Sequence, residues 1–198
     1  MDRPKIAANL AAFDRIATPR PELKAASVAV CLVVDEGELA MVITRRAPRL
    51  RAHAGQWALP GGRRDDDESA VMAARRELFE ETGLAIAEPD VVGVLDDYVT
   101  RSGYVMTPVV VWAGPVDAAL RGAESEVAAV HLVPVSDLDV EPRLISIAES
   151  DRPVIQLPLF GRYVHAPTAA IIFQFCQVGL HGNAVRVADY EQPVFAWK

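Results

Sequence analysis

Residues 62–84 read GRRDDDESAVMAARRELFEETGL, a glycine and an acidic turn followed by apolar residues at helical spacing. This spacing predicts a helix from Glu68 to Thr82, which Gly83 ends because glycine readily adopts the left-handed conformation that follows many helices. Ala74 and Leu78 share one face of that helix, which can therefore pack against a sheet. The chemistry of the helix has to come from its other face.

That other face is acidic. Glu77, Glu80 and Glu81 stand at positions i, i+3 and i+4, so three carboxylates share one side of the helix. Like charges at this spacing repel one another, and a divalent cation would neutralise them. Hard oxygen ligands of this kind suit Mg²⁺ or Mn²⁺ better than zinc. A solvated acidic surface is the alternative interpretation of the three glutamates taken alone.

The spacing of the whole stretch resembles the signature of the Nudix hydrolases. Every fixed position of that signature is matched, by Gly62, Glu68, Arg76, Glu77, Leu78, Glu80, Glu81, Gly83 and Leu84. The resemblance covers about residues 27–138. It implies an α+β protein with an α/β/α sandwich around a mixed sheet, in which the signature forms a loop, a helix and a second loop.

The resemblance also implies an activity, the hydrolysis of a nucleoside diphosphate linked to another group, with Mg²⁺ or Mn²⁺ and a water molecule. Matched by position, Glu80 and Glu81 are the principal metal ligands. Glu77 is either a further ligand or the catalytic group that takes a proton from water. Glu124 or Glu126, in a later loop, is an alternative catalytic base, and ordinary loop acids are the competing interpretation of both.

The resemblance gives supporting roles to other residues of the signature. Gly62, or Gly61 beside it, offers a backbone carbonyl to the metal because no side chain blocks the approach. Gly61 also belongs to the expected substrate-binding loop. Glu68 and Arg76 form a supporting ion pair that fixes the loop against the helix.

A second motif lies just upstream, where residues 43–62 read ITRRAPRLRAHAGQWALPGG. It is similar to a motif that accompanies the signature in coenzyme A pyrophosphatases, although Leu59 stands where those proteins usually have Phe. Arg46 and Arg51 are the expected substrate-binding residues, because a guanidinium group binds phosphate oxygens in a bidentate manner. Salt bridges to the acidic turn at residues 65–67 are the alternative.

The substrate class implied is CoA or acyl-CoA, cleaved to adenosine 3′,5′-bisphosphate and 4′-phosphopantetheine or its acyl form. One segment departs from that subfamily: residues 164–169 read VHAPTA, where an Ile-Trp-Gly-Ala-Thr-Ala sequence is typical. Two alternatives therefore stay open. One is hydrolysis of ADP-ribose, NADH or a nucleoside triphosphate, and the other is a ligand sensor without turnover.

The organisation predicted around the signature is one domain with an N-terminal addition. Residues 1–24 form a helical arm with its helix at 6–16, and residues 25–198 form the domain. The domain has a core at about 27–138, opened by a hairpin of strands at 25–34 and 39–43, and a C-terminal helical extension at about 139–198, with its helix at 168–178. Apolar residues of the two terminal helices predict a homodimer.

Composition restricts the partners. Twenty Lys and Arg against 27 Asp and Glu give a net charge of −7, which argues against nucleic acid or a membrane surface as a partner. A small nucleotide is favoured instead, because six arginines fall between residues 45 and 64. Cys31 and Cys176, without metal-binding spacing, are predicted to be buried thiols. Together with an N-terminus that lacks an apolar signal core, they predict a cytoplasmic protein.

Overall fold

The computed structural model describes residues 2–48, 55–116, 120, 122 and 127–197. Its α-helices are α1 Arg3–Ala12, α2 Ala70–Thr82, α3 Val135–Leu138 and α4 Thr168–Phe175, the last continuing as a π-helical stretch, Cys176–Leu180. Its strands are β1 Lys24–Asp35, β2 Glu38–Arg46, β3 Trp57–Ala58, β4 Gly61–Arg63, β5 Val91–Val94, β6 Tyr98–Val99, β7 Tyr104–Pro115, β8 Val127–Pro134, β9 Arg143–Ile147, β10 Ser150–Leu159 and β11 Arg162–His165. Short 3₁₀ turns occupy Glu88–Asp90 and Val194–Ala196.

Eight of the described strands form one mixed sheet. The order is β3-β2-β1-β7-β5, with β4 and β6 pairing at the ends of β1 and β7 and β8 pairing with β2. β1 and β7 are parallel and the other pairs are antiparallel. The α+β class and the predicted β1–β2 hairpin are therefore confirmed.

Both faces of β1 are buried, which explains its nearly continuous apolar sequence. Ala29 and Cys31 pack with Ala74 and Leu78 of α2 on one face. Residues of the opposite face, such as Val30, pack in a larger core with α1, α4 and a second sheet. Helices therefore cover the mixed sheet on both sides, as the predicted α/β/α sandwich requires.

Helix α2 begins at Ala70, two residues later than predicted. The Ser69 side chain caps it, because Ser69 Oγ accepts a hydrogen bond from Met72 N at 3.1 Å. Glu68 lies before the cap, and its carbonyl accepts from Arg64 Nη2 at 2.6 Å. Gly83 ends the helix with φ 78°, as the sequence predicts.

The prediction of an N-terminal helix at 6–16 is wrong at both ends. Helix α1 begins at Arg3, three residues before the predicted start, and the Asp2 side chain caps it by accepting a hydrogen bond from Lys5 N. The helix ends before Phe13 because the following backbone has other partners: Ile16 N donates to Asp96 Oδ1 at 2.7 Å. Ile6 of α1 is fully buried in the larger core, so the first helix packs on the domain.

The prediction that residues 139–198 are a helical extension is wrong for their first half. Strands β9, β10 and β11 form a separate antiparallel sheet with the order β11-β10-β9. Pro153 and Pro158 lie within β10 and conceal it in the sequence, because proline cannot donate a ladder hydrogen bond. The helix predicted at 168–178 is present as α4 and its π-helical continuation.

Cys31 and Cys176 are both buried and free, as predicted. Burial raises the pKa of the Cys31 thiol to about 12. In the part of the chain that the structure describes, no helix is long and apolar enough to cross a membrane.

Candidate active site

The glycine loop before α2 contacts both the sheet and the helix. Residues 61–63 form β4 and pair with β1, with Gly62 opposite Ser27. A Cβ atom on Gly61 would lie 2.7 Å from Val28 Cα, and one on Gly62 would overlap the carboxylate of Glu77. Only glycine therefore fits at residue 61, whereas a Cβ atom at residue 62 would require the Glu77 side chain to shift. The backbone at residue 62 lies directly against this signature carboxylate.

Arg76 is the centre of the hydrogen-bond network in this loop. Its Nε and Nη2 donate to the two carboxylate oxygens of Glu68, at 3.0 and 2.9 Å, in a bidentate pair. Nη2 also donates to the carbonyl of Arg63 at 3.0 Å. The hydrogen bond from Arg76 lowers the pKa of Glu68, and Glu68 in turn raises the pKa of Arg76. The pair joins the loop to the helix.

The same guanidinium binds two of the expected metal ligands. Arg76 Nη1 lies 2.8 Å from Glu77 Oε1 and 3.3 Å from Glu80 Oε2. The Glu77 side chain is 13% exposed and the Glu80 side chain 52%, whereas Glu81 is buried. The three residues lie in α2 at the predicted spacing, and Arg76 compensates part of the charge of the two that it contacts, Glu77 and Glu80.

The donor set fits Mg²⁺ or Mn²⁺ in its chemistry, because it offers carboxylates and the backbone of Gly62 lies against one of them. Within residues 2–48, 55–116, 120, 122 and 127–197, no three His, Cys, Asp or Glu side chains come together closely enough to hold a metal ion. Arg76 Nη1 is the group that Glu77 and Glu80 both contact.

Three residues given a role by the sequence, Arg51, Glu124 and Glu126, lie outside the described residues. Arg46 is described: its backbone carbonyl accepts from Gly55 N at 3.1 Å. Its Nε is buried and has no hydrogen-bond partner among the described residues. A buried guanidinium N–H without a partner is costly, and an anionic ligand would satisfy it.

A cavity of about 1010 Å³ lies beside the glycine loop and beside Arg46. Its first wall comes from the mixed sheet and includes Arg45, Arg46, Trp57, Gly61, Gly62, Arg63 and Tyr104. Its second wall comes from the C-terminal part and includes Phe160, Arg162, Tyr163, His165, Pro167 and Phe195. Four arginines and several aromatic rings therefore line one space.

Among the described residues, the cavity and the acidic face meet at the glycine loop. Glu77, Glu80 and Glu81 are not among the described residues that line the cavity, whereas Gly61 and Gly62 are. A ligand that lies in the cavity and reaches across Gly62 would come to the carboxylates, because Gly62 lies against Glu77.

Sequence reasoning did not assign the residues of the second wall to a site. One signal pointed to them, the departure at residues 164–169, and Val164 through Thr168 do line the cavity. His165 there lies 2.6 Å from Gln156 through its Nε2, and burial lowers the pKa of the imidazole. Tyr104, of the first wall, was also missed, although its hydroxyl accepts from Arg63 Nη2 at 2.7 Å.

Comparisons with known proteins identify the family of this chain. The model of the NUDIX domain family matches residues 23–157. A Cronobacter sakazakii protein described as an uncharacterized Nudix hydrolase, NudL, is 42% identical over 106 residues, which are 53% of this chain and 55% of the relative. The Escherichia coli protein of the same description is 41% identical over 105 residues, 52% of this chain and 54% of its own. The chain thus aligns with about half the length of these relatives.

Among solved structures, a NUDIX hydrolase from Alicyclobacillus acidocaldarius superimposes with a TM-score of 0.54 at 17% identity, over 82% of this chain and 93% of its own. This likeness concerns the fold. Since the family model spans most of the chain and includes the loop and helix described above, the chain belongs to the NUDIX domain family.

Proposed function

We propose that the protein is a metal-dependent hydrolase that cleaves the diphosphate of CoA or acyl-CoA, releasing adenosine 3′,5′-bisphosphate and 4′-phosphopantetheine or its acyl form. The observation that carries this proposal is the buried Nε of Arg46, which has no hydrogen-bond partner among the described residues and lies in the wall of a cavity that reaches Gly62, the residue against Glu77. Arg46 belongs to the upstream motif that is similar to the CoA pyrophosphatases.

The first role of the chain is to bind dense negative charge. A diphosphate carries charge that must be neutralised before water can attack it. Arg46 supplies a buried donor for a phosphate oxygen, and Arg45 and Arg63 add positive charge to the same wall. Together they hold the diphosphate beside the glycine loop.

The second role is metal binding. Glu80, Glu81 and the Gly62 carbonyl would hold Mg²⁺ or Mn²⁺, with Glu77 either as a further ligand or as the base. When bound there, such an ion would supply charge neutralisation and would make water more acidic. Arg76 keeps Glu77 and Glu80 close to the loop through Nη1, while its pair with Glu68 prevents the guanidinium itself from moving away.

A second candidate substrate is another nucleoside diphosphate derivative, such as ADP-ribose or NADH, or a nucleoside triphosphate. The observation in its favour is that Val164 through Thr168, where the sequence departs from the CoA subfamily, line the cavity. Residues there contact whatever group the cavity encloses, so a change of sequence at this wall changes the group that fits.

The experiment is a product analysis by mass-resolved chromatography. The protein is incubated with Mg²⁺ or Mn²⁺ and a mixture of CoA, acetyl-CoA, ADP-ribose, NADH, diadenosine polyphosphates and nucleoside triphosphates. We expect adenosine 3′,5′-bisphosphate to appear first. Survival of CoA while another diphosphate is cut would select the second candidate, and cleavage of nothing would select the ligand sensor.

A further inference from the structure

Phe160 occupies a position that stability alone does not favour. Phe160 and Gly161 form the two-residue turn between β10 and β11, since Leu159 pairs with Arg162. Their φ angles are 48° and 70°, both in the left-handed region. Turns of this kind favour Asn-Gly, and a bulky aromatic residue at positive φ is rare.

The Phe160 side chain is also poorly buried for a large apolar group. It is 55% exposed, and Phe195 and Tyr163, on the same wall of the cavity, are 57% and 45% exposed. Exposed aromatic surface loses the free energy that burial would provide. Strain and exposure at one residue indicate a role in contacting something other than the protein.

Two further rings adjoin Phe160 and connect the C-terminal sheet with the mixed sheet. The Trp57 ring lies 4.8 Å from the Phe160 ring and 4.8 Å from that of His131, and His131 lies 5.1 Å from Phe160, between centroids. We call Trp57, His131 and Phe160 the aromatic platform. Its rings already touch, so that a ligand has no room between Trp57 and Phe160 and meets the platform from the cavity side.

The charge beside the platform identifies the kind of ligand. The Arg45 guanidinium lies 5.6 Å from the centre of the Trp57 ring. Arg46 follows it in the chain, and its Nε has no hydrogen-bond partner in the part of the chain that the structure describes. Positive charge next to an aromatic surface suits a molecule that joins a planar ring to phosphate groups. A flexible aliphatic chain offers no planar ring to such a surface.

We propose that the aromatic platform stacks the purine base of the nucleotide substrate, with the exposed ring of Phe160 as the principal contact. The proposal rests on the proposed function only in taking the ligand to be a nucleotide. It makes Phe160 a specificity-determining residue, contributed by the C-terminal sheet to the site on the mixed sheet.

Phe160→Asn separates the two properties of the residue. It removes the ring and creates the Asn-Gly sequence that the turn favours, so the unfolding midpoint in urea should stay the same or rise. Binding of AMP, measured by calorimetry on the full chain, should weaken roughly five- to hundredfold, the range found when a stacking side chain is removed. Ribose 5-phosphate, which lacks the base, should bind the variant and the wild type equally.

Two further variants complete the test. Phe160→Leu keeps an apolar side chain without a planar ring and should lose most of the affinity for AMP. Leu144→Asn, in β9 of the same sheet, changes an apolar residue that is 49% exposed and not among the described cavity residues. It should bind AMP as the wild type does.

Several outcomes overturn the proposal: equal affinity of the wild type for AMP and ribose 5-phosphate, no measurable binding of AMP, or unchanged AMP binding in Phe160→Asn. Loss of 4′-phosphopantetheine binding instead of AMP binding overturns it too, because the platform then holds the pantetheine arm.

The proposed function is judged separately, by cleavage of CoA. If Phe160→Asn weakens AMP binding but the protein cleaves no CoA, the stacking proposal stands and the proposed hydrolase activity is refuted. If the protein cleaves CoA and Phe160→Asn binds AMP unchanged, the activity stands and the stacking proposal is refuted.

Discussion

At the scale of single residues, the carboxylates of α2 differ in their surroundings although they share one face. Glu80 is half exposed, Glu81 is buried and Glu77 lies against Gly62. The helical spacing accounts for the shared face, because neighbours at i+3 and i+4 always align. The difference in burial depends on which parts of the chain pack against each position of the helix, and the spacing of the three residues carries no information about that packing.

Glu80→Gln and Glu81→Gln each remove one negative charge with little change in shape. We expect each variant to lower turnover by more than about a hundredfold. This exceeds the loss that follows when a residue hydrogen-bonded to a metal ligand is changed, because here the ligand itself is changed. Steady-state kinetics with Mg²⁺ measure the turnover, and circular dichroism checks that each variant keeps its fold. Glu22→Gln, at a side chain that is 60% exposed, is the control. Near-full activity in both variants would contradict the metal site.

Gly62→Ala tests the contact between the loop and Glu77. The new methyl group would overlap the Glu77 carboxylate and push it away from the loop. Turnover and Mn²⁺ affinity should fall roughly 10- to 100-fold. The control is Gly37→Ala in the β1–β2 turn, where φ is 87° and the space is open: it should cost about 1 kcal/mol of stability and no activity. Unchanged Mn²⁺ affinity in Gly62→Ala would show that Glu77 and Gly62 do not bind the metal.

At the scale of elements, the C-terminal segment is tied to the body of the domain by Glu191. This buried carboxylate accepts from Arg101 Nε at 2.9 Å and from Arg152 Nη2 at 3.0 Å, and it precedes Gln192 and Phe195, which line the cavity. Burial acts to raise the pKa of Glu191, but hydrogen bonds from the Gln192 backbone, Ser150 and Arg152 outweigh it and hold the pKa below its usual value.

The lowered pKa of Glu191 gives a pH dependence of known sign. A carboxyl whose folded pKa is depressed stabilises the fold above its unfolded pKa of about 4.3, and that stabilisation is lost as pH falls through the folded pKa. Glu191→Gln should therefore lower stability at pH 6 and have little effect near pH 2. Urea unfolding of both proteins at the two pH values measures this. An equal loss at both would assign the effect to packing.

At the scale of the whole molecule, Asp96 joins segments that are far apart in sequence. It accepts from the Ile16 backbone, from Gln174 of α4 and from Arg186, at distances between 2.7 and 2.9 Å. The Asp96 side chain is 8% exposed, so these partners depend on it rather than on water. The segment after α1, the loop after β5, helix α4 and the C-terminal segment are therefore joined here.

Asp96→Ala removes the shared acceptor and leaves several donors without a partner. We expect a loss of about 2–3 kcal/mol in the free energy of unfolding, because buried polar groups that lose their partner pay the desolvation cost. Urea unfolding measures it. Asp90→Ala, at an exposed ion pair with Arg3, should change stability by less than about 1 kcal/mol. Similar losses in both variants would contradict a joining role for Asp96.

The homodimer stays a prediction, but the apolar residues of the terminal helices, from which it was predicted, do not support it. Ile6 and Leu10 of α1 and the apolar residues of α4 are largely buried within the described chain, so they need no second subunit. Sedimentation of the full chain measures the state directly. A single species near 21.5 kDa would contradict the dimer.

The sequence by itself determined what depends on neighbours within a few residues. The β1–β2 hairpin, the course of α2 with Gly83 at its end and the shared face of Glu77, Glu80 and Glu81 follow from local periodicity. The signature also indicated the family correctly. Helix and strand geometry repeats over two to four residues, so these features can be predicted from the sequence alone.

Only the tertiary structure decided which distant residues meet. The strand β10 is hidden by its prolines, and its turn brings Phe160 against Trp57, which is remote in sequence. The signature predicted the ion pair of Arg76 with Glu68, but the additional contacts of the same guanidinium with Glu77 and Glu80 depend on how the loop folds back over the helix. Such contacts arise from packing of whole elements, whose energy is summed over many residues, and no short pattern encodes them.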